Sequence, residues 1–146
     1  MTKITRNVIV KGSPAEIYPF WADFTNFPAF MTYIKSVTPT GEKTSHWVLA
    51  GPAGMQVDWN AEMTRMEENK RIAWNSKDKT GLITTSGQVT FNDLPQAQTE
   101  VSVTIQYAAP GGKAGEIITQ LFANPEKRLE TDLRNFKQMV ERELAA

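Results

Sequence analysis

The sequence has no cysteine and one histidine, His46, and this shortage excludes several kinds of chemistry. Without cysteine the chain forms no disulfide, no thiolate metal site, no iron–sulfur cluster and no cysteine nucleophile. One histidine, with no spaced cluster of carboxylates, gives no ligand set for a metal ion. We therefore expect no metal and no other cofactor, and the residue types alone assign no catalytic residue.

Net charge and long apolar runs are also missing. The 16 basic residues equal the 16 acidic residues, and each half of the chain is close to neutral. Nucleic acids and anionic lipid surfaces attract a basic stripe, which this composition lacks. The apolar runs are a few residues long, against about 20 needed to span a bilayer, and none follows the N-terminal lysines as in a signal peptide. We expect a cytoplasmic protein with no nucleic-acid partner and no membrane span.

Aromatic and sulfur-containing side chains are abundant. The sequence includes 4 Trp, 7 Phe, 3 Tyr and 6 Met. Its length of 146 residues is typical of one domain, which we expect to cover residues 1–146. Large flat rings and flexible thioethers suit a pocket for apolar ligands. The same side chains also fill plain cores, so both interpretations stand at this point.

The N-terminal part predicts a strand followed by two short helices. Residues 2–10 have the character of a strand, and a capping box that begins at Ser13 starts the first helix. Pro19 and Asp23 are expected to bound that helix. A second short helix or turn falls within residues 24–31, which carry three phenylalanines and a methionine around a proline.

The pattern then changes to a period of two. Gly87, inside the predicted strand at residues 82–92, suggests a bulge or a sharp bend. The turns between strands are short, so neighbouring strands are expected to be antiparallel. Six strands are predicted here, at residues 33–39, 45–50, 55–64, 71–76, 82–92 and 99–107.

Helical periodicity returns at the C-terminus. A first part covers residues 117–122, and a second, longer part begins after Asn124. The longer part carries an apolar stripe that consists of Leu129, Leu133, Phe136, Val140 and Leu144. Its opposite charges lie four residues apart and are expected to form a solvated face, with the pairs Arg128–Asp132, Glu130–Arg134 and Lys137–Glu141.

This order of elements predicts an α+β fold. A seven-stranded antiparallel sheet would curl around the long C-terminal helix, and the two short helices after the first strand would close one end. A set of short stretches and single residues carries a family pattern over nearly the whole chain: residues 8–10, 13–18, Trp21, 23–31, 51–54, 59–62, 72–74, Gly87, Val89, Phe91, 132–133 and 136–137. On these stretches the chain resembles the helix-grip fold of the START/Bet v 1-like (SRPBCC) superfamily, and in particular the bacterial polyketide cyclase/dehydrase-like proteins.

The resemblance implies an apolar cavity between the sheet and the C-terminal helix that takes bulky hydrophobic ligands. Some members cyclise or dehydrate polyketides, and others bind or carry lipids, quinones or hormones. The family has no common catalytic motif, so no catalytic residue is carried over. The first hypothesis is therefore a protein that binds a bulky hydrophobic or aromatic small molecule. The alternatives are a polyketide cyclase/dehydratase-type enzyme and a protein-interaction module. In each case the protein is expected to be a monomer or a homodimer.

The residues expected to line the cavity are aromatic: Phe27, Phe30, Tyr33, Trp47, Trp59, Trp74, Tyr107, Phe122 and Phe136. The tryptophans line a cavity or form plain core, and the two strand tyrosines either donate to a ligand carbonyl or bond to backbone. Strand alternation turns the polar neighbours of Trp47 and Trp59 toward water, namely His46, Asp58, Asn60 and Glu62.

Residues 24–31 are predicted to act as a gate over the open end of the fold. The segment has much apolar surface, and Pro28 limits the regularity of its helix. Few backbone hydrogen bonds are expected to hold such a segment, so it should open more easily than the sheet. The alternative is that its side chains plug a solid core.

We expect the protein to bind no nucleic acid specifically, because no basic stripe is available to neutralise phosphates. Fluorescence anisotropy with labelled duplex and single-stranded DNA at physiological salt should show no saturable binding. Salt-sensitive binding at low micromolar affinity would contradict this expectation.

Overall fold

The secondary structure follows the predicted order of elements. The structure is a computed structural model and describes residues 2–32, 34–50, 54, 56–76, 84–108 and 125–146. Its elements are β1 (Thr2–Lys11), α1 (Pro14–Ala22), a 3₁₀ turn (Phe24–Asn26), α2 (Phe27–Phe30), β2 (Ile34–Pro39), β3 (Thr44–Ala50), β4 (Gln56–Glu67), β5 (Arg71–Ser76), β6 (Thr84–Leu94), β7 (Gln98–Ala108) and α3 (Pro125–Ala145). Over these ranges, no helix combines the length and the apolar character that crossing a membrane requires.

The strands form one seven-stranded sheet in the order β1-β7-β6-β5-β4-β3-β2. Every neighbouring pair is antiparallel, as short hairpin turns require. The strands alternate between buried and more exposed residues, and the buried face packs with the short helices and α3 in one hydrophobic core. The predicted α+β helix-grip fold, with a curled sheet and two short helices after the first strand, is confirmed.

Helix α1 begins with the predicted capping box. The Ser13 hydroxyl accepts a hydrogen bond from the backbone N–H of Glu16, and the Glu16 carboxylate accepts one from the N–H of Ser13 at 3.0 Å. The expectation that Pro19 bounds the helix is wrong, because α1 continues through it to Ala22. Tyr18 and Trp21, on either side of this exposed proline, are both buried. Their burial outweighs the backbone hydrogen bond that a proline cannot make.

Of the two features expected at Gly87, a bulge or a sharp bend, the bulge is not found. The strand register runs without a shift from Trp74 through Gly87 to Ile105. Shifts occur elsewhere, between Ile34 and Ser36 and between Met63 and Arg65. Gly87 is needed for packing instead, because a Cβ at this position would overlap the indole ring of Trp74.

The apolar stripe of α3 is buried over most of its predicted length. Leu129, Leu133, Phe136 and Val140 are all at most 4% exposed, as expected. Leu144 is 36% exposed, so the buried part of the stripe ends one turn earlier than predicted. The predicted helical part at residues 117–122 lies outside the described residues.

The charged residues of α3 only partly follow the predicted pairing. Lys137 and Glu141 form the expected contact, 2.6 Å between Nζ and Oε2. Glu130 instead accepts a hydrogen bond at 2.9 Å from Nε of Arg6, on β1. Spacing along one helix could not predict this pairing, because the partner comes from a strand about 120 residues earlier in the chain.

The same face of α3 binds the backbone of β1, an edge strand of the sheet. Nζ of Lys137 donates to the carbonyl oxygen of Ile9 at 2.8 Å, and the N–H of Lys11 donates to Oε2 of Glu141 at 2.9 Å. Burial opposes ionisation of Glu141, but its hydrogen bonds with Lys137 and Lys11 outweigh this and hold its pKa below the ordinary value. Charged helix side chains thus occupy backbone groups that an open sheet edge would expose.

Leu133→Ala should lower the free energy of unfolding by about 2–5 kcal/mol, because it removes a side chain that is 2% exposed and leaves a cavity. Chemical denaturation measures this change. Gln138→Ala, on the exposed face of the same helix, is the matched control and should stay within about 0.5 kcal/mol of wild type. An effect of Leu133→Ala no larger than that of the control would contradict the packing of α3.

Candidate functional site

Eight aromatic rings meet between the inner face of the sheet, the short helices and α3. All are buried, with at most 7% of each residue exposed. Neighbouring ring centroids lie 4.5 to 6.5 Å apart, mostly in edge-to-face arrangements. This aromatic cluster consists of Trp21, Phe24, Phe27, Phe30, Trp47, Trp59, Trp74 and Phe136.

The cluster brings together six of the nine residues expected to line a cavity. Tyr33 and Phe122 lie outside the described residues, and so does the side chain of Tyr107. Two members, Trp21 and Phe24, were not among the expected site residues. A sequence signal for them exists, because an aromatic residue recurs every third position from Trp21 to Phe30.

Three tryptophans stack on one another on the inner face of the sheet. Trp47 of β3 lies directly opposite Trp59 of β4, and their rings stack at 5.8 Å with an interplanar angle of 28°. Trp47 also stacks on Trp74 of β5, at 6.3 Å and 25°. We call Trp47, Trp59 and Trp74 the tryptophan platform. Indole faces are suited to stacking with other planar rings.

The segment of residues 24–31 covers the platform. Phe24 and Phe27 meet Trp47 edge-on, with centroids 5.7 and 5.2 Å away. Phe30 reaches across to Phe136 of α3 at 5.0 Å. The segment therefore separates the platform from the outside and joins it to α3.

Hydrogen bonds from α3 hold the end of this segment. The Asn135 amide donates to the carbonyl oxygen of Phe30 at 3.2 Å. The backbone N–H and the hydroxyl of Thr32 both donate to Oδ1 of Asp132, at 3.2 and 3.3 Å. We call Phe30, Thr32, Asp132 and Asn135 the latch. The segment is thus better anchored at its C-terminal end than its sequence suggested.

Asp132 of the latch is a carboxylate in an unfavourable environment. Burial raises its pKa from an ordinary 3.8 to about 6, although the hydrogen bonds from Thr32 and the charge of Arg128 act in the opposite direction. The group therefore titrates close to neutral pH. No sequence pattern pointed to this, because the burial comes from the packing of α3 against the segment before β2.

Two indole N–H groups of the aromatic cluster are buried without a hydrogen-bond acceptor. Within the described part of the chain, Nε1 of Trp21 and Nε1 of Trp59 have no partner. Nε1 of Trp47, by contrast, donates to the hydroxyl of Ser45 at 2.8 Å. Buried donors are nearly always paired in folded proteins, so the two unpaired groups are exceptions that need an explanation.

The polar residues beside the platform face outward, as strand alternation predicted. His46 is about one-third exposed and lies between Asn60 and Asp58, with Nδ1 2.9 Å from the Asn60 amide oxygen and Nε2 3.2 Å from the Asp58 carboxylate. Among the residues with described positions, no group of three His, Asp or Glu side chains could hold a metal ion. Because it alternates with the buried Trp47, His46 lies on the opposite side of the sheet from the aromatic cluster.

The outer face also carries a shallow groove of about 310 Å³. Its lining is mainly polar and, apart from the buried Gly87, alternates along the strands with the buried residues of the inner face: Lys3, Ala73, Asn75, Ser86, Gly87, Gln88, Thr104 and Gln106. This groove is therefore not the apolar cavity that the sequence predicts.

Residues 10–134 match the family profile described as polyketide cyclase/dehydrase and lipid transport. A protein of Deinococcus radiodurans with a crystal structure is 32% identical, with a TM-score of 0.79, and the match covers 98% of this chain and 99% of that one. An uncharacterized 17.2 kDa protein of the melC2-rnhH intergenic region in Streptomyces lincolnensis is 24% identical, over 97% of this chain and 91% of that protein.

More distant structures share the fold. An aromatase/cyclase from Streptomyces sp. R1128 has a TM-score of 0.75 at 15% identity, with coverage of 98% of this chain and 95% of that one. A START superfamily protein from Mycobacterium smegmatis has a TM-score of 0.74 at 14% identity, with coverage of 94% and 98%. At these identities the likeness concerns the fold alone.

Asp132→Asn should change how stability depends on pH. Because the folded-state pKa of Asp132, about 6, exceeds its ordinary value of 3.8, the folded state holds the proton more tightly. Wild-type stability should therefore fall as the pH rises through the interval between these values. The amide keeps an acceptor for Thr32 but carries no charge, so the variant should be about 1–3 kcal/mol more stable than wild type above pH ~7, and similar below pH ~4.

Denaturation curves recorded across this pH range measure the effect. Glu143→Gln, which makes the same change of charge at an exposed position of α3, is the control and should leave the pH profile unchanged. Parallel profiles for wild type and Asp132→Asn would show that the carboxylate is not buried at a cost.

Proposed function

We propose that this chain, which belongs to the polyketide cyclase/dehydrase and lipid transport family, binds a bulky hydrophobic or aromatic small molecule between the sheet and α3. The observation that carries the proposal is the tryptophan platform on the inner face. Trp47 stacks on both of the other indoles, at 28° and 25°, and a group of indole rings favours a planar aromatic ligand.

The chemistry of the cluster suits such a ligand. Burying roughly 200 Å² of apolar ligand surface contributes about 5 kcal/mol before the entropy of association is subtracted. The buried polar residues among those described are Ser45, Thr85 and Thr99, and none of them is charged. A neutral, apolar molecule therefore loses little on entering, whereas an ion would be desolvated without a counterion.

Residues 24–31 supply the entrance in this proposal. Phe24 and Phe27 lie against Trp47, so movement of these two rings would let a ligand reach the platform. The latch fixes the C-terminal end of the segment to α3, so the 3₁₀ turn and the start of α2 would swing while residues 30–32 stay in place. Opening of this kind is local and leaves the sheet intact.

The two alternatives from the sequence have less support. A cyclase needs an acid or base directed at its substrate, and Asp132, the described acid with the strongly raised pKa, is hydrogen-bonded to Thr32 in the latch. An interaction module needs an exposed apolar patch, and the large apolar side chains exposed in the described ranges are Ile9, Met66 and Leu144. They come from three different elements of the fold.

Hydrogen exchange with and without the fluorescent probe ANS tests the gate and the binding together. The amides of residues 24–31 should exchange faster than those of β7, which pairs with a strand on both sides, and should slow when ANS binds. ANS fluorescence itself should rise on addition of the folded protein.

A segment that exchanges as slowly as β7 and ignores the probe is a plug. If the folded protein also leaves ANS fluorescence unchanged, the proposal of an apolar ligand is wrong, and the interaction module becomes the better hypothesis.

A further inference from the structure

The shallow groove of about 310 Å³ on the outer face of the sheet gathers polar side chains from four neighbouring strands, β5, β6, β7 and β1. We call it the outer groove. Residues in one register follow each other across these strands, in the order Asn75, Ser86, Gln106 and Lys3. Three strand spacings of about 4.8 Å give this row a length of about 14 Å.

The outer groove is open to solvent and needs no movement of the fold to admit a molecule. Ala73 and Ser86, on neighbouring strands, have short side chains and form its floor. Longer side chains border it, among them Gln88 and Gln106. Asn75 and Lys3 are exposed and the other polar lining residues are half-buried, so their polar groups are within reach of a ligand.

Most polar side chains of the outer groove are not used by the protein itself. Elsewhere on the outer face such groups do pair, as the amide of Asn92 does with the carboxylate of Glu100 at 3.2 Å. Within the described part of the chain, no hydrogen bond or ion pair is formed by the side chains of Lys3, Asn75, Ser86, Gln88 and Gln106.

The chemistry of these groups indicates the kind of ligand. A primary amide both donates and accepts, as a hydroxyl group does, so Asn75, Gln88 and Gln106 match a molecule with several hydroxyls. The described lining has no aromatic residue, so a nucleobase or another aromatic ring finds nothing to stack on. It has no acidic residue either, and the ammonium group of Lys3 is available to an anionic group.

We infer that the outer groove binds a sugar acid, a polyhydroxylated molecule with one carboxylate, which places the carboxylate at Lys3 and its hydroxyls along the amides toward Asn75. The next residue in register is Glu62 of β4, beyond Asn75, so the acidic end of the row lies away from Lys3. A volume of about 310 Å³ is at the lower end of the range for small-molecule sites, about 300–1,000 Å³, and suits one or two sugar units. The inference does not depend on the proposed function, because the tryptophan platform lies on the other side of the sheet.

Three probes separate the contributions of the hydroxyls and the carboxylate. D-Glucuronate carries both, D-glucose carries the hydroxyls alone, and acetate carries the carboxylate alone. ¹H–¹⁵N spectra of the wild-type protein follow the side-chain amide resonances of Asn75, Gln88 and Gln106 during each titration. Glucuronate should shift them saturably, with a dissociation constant about two- to fivefold lower than that of glucose, the range of one exposed ion pair. Acetate should leave them unchanged at the same concentrations.

Lys3→Met removes the charge and keeps a long side chain, so the affinity for glucuronate should fall to that for glucose. Lys35→Met is the matched control. It makes the same change at an exposed lysine of β2, at the opposite edge of the sheet, and should keep the wild-type preference for glucuronate.

Gln88→Met removes an amide from the middle of the outer groove. It should weaken the binding of glucuronate and of glucose alike, by about two- to tenfold, the range of one hydrogen bond. Gln56→Met, at an exposed position of β4 outside the outer groove, is its control and should bind both probes as the wild type does.

The titration of the wild-type protein decides the inference even if a variant does not fold. If acetate shifts the amide resonances as much as glucuronate does, the outer groove attracts a counterion only and the inference is wrong. It is also wrong if no probe binds, if glucose and glucuronate bind equally well, or if Gln88→Met binds them as Gln56→Met does. None of these results bears on a ligand of the inner face, which the ANS experiment tests separately.

Discussion

The stacking of Trp47 between Trp59 and Trp74 is the interaction on which the rest of the structure depends. It requires β3, β4 and β5 to keep their register, because a slip of any one of them by one residue would turn its tryptophan to the outer face. It also requires a glycine on β6, since the ring of Trp74 occupies the space where a side chain at position 87 would lie. The residue type at position 87 of β6 is thus determined by the ring of Trp74 on the neighbouring strand.

An aromatic surface of this size has to be covered, and the remaining elements provide the cover. Residues 24–31 place phenylalanines over the platform, and α3 holds that segment through Asn135 and Asp132. The bond to Thr32 comes with a penalty, because burial raises the pKa of Asp132 to about 6. A fully hydrogen-bonded neutral side chain would hold the segment at less cost. With this carboxylate, we expect the stability of the fold to fall as the pH rises toward neutrality.

The sequence predicted those features that depend on neighbours along the chain. Ser13 and its capping box, the alternation around Trp59, and the buried stripe through Leu133 all follow local periods, and the structure confirms them. Features decided by distant contacts were predicted poorly. Pro19 remains inside α1 because of core burial, and Glu130 bonds to a strand rather than to its own helix.

The candidate site shows the same division. Six aromatic members of the cluster were expected from residue type and strand or helix position, whereas the burial of Asp132 and the unpaired N–H of Trp59 arise only when the elements meet. Neither leaves a periodic trace in the sequence, because each depends on which groups surround it in space.

The central claim, that the platform is a surface for an aromatic ligand, is tested most directly by locating a bound probe. Intermolecular nuclear Overhauser effects from 9-fluorenone should reach the ring protons of Trp47 and Trp59 and those of Phe27 above them. Contacts confined to the outer face, around His46 and Asp58, would contradict the claim, because the ligand would then bind on the opposite side of the sheet.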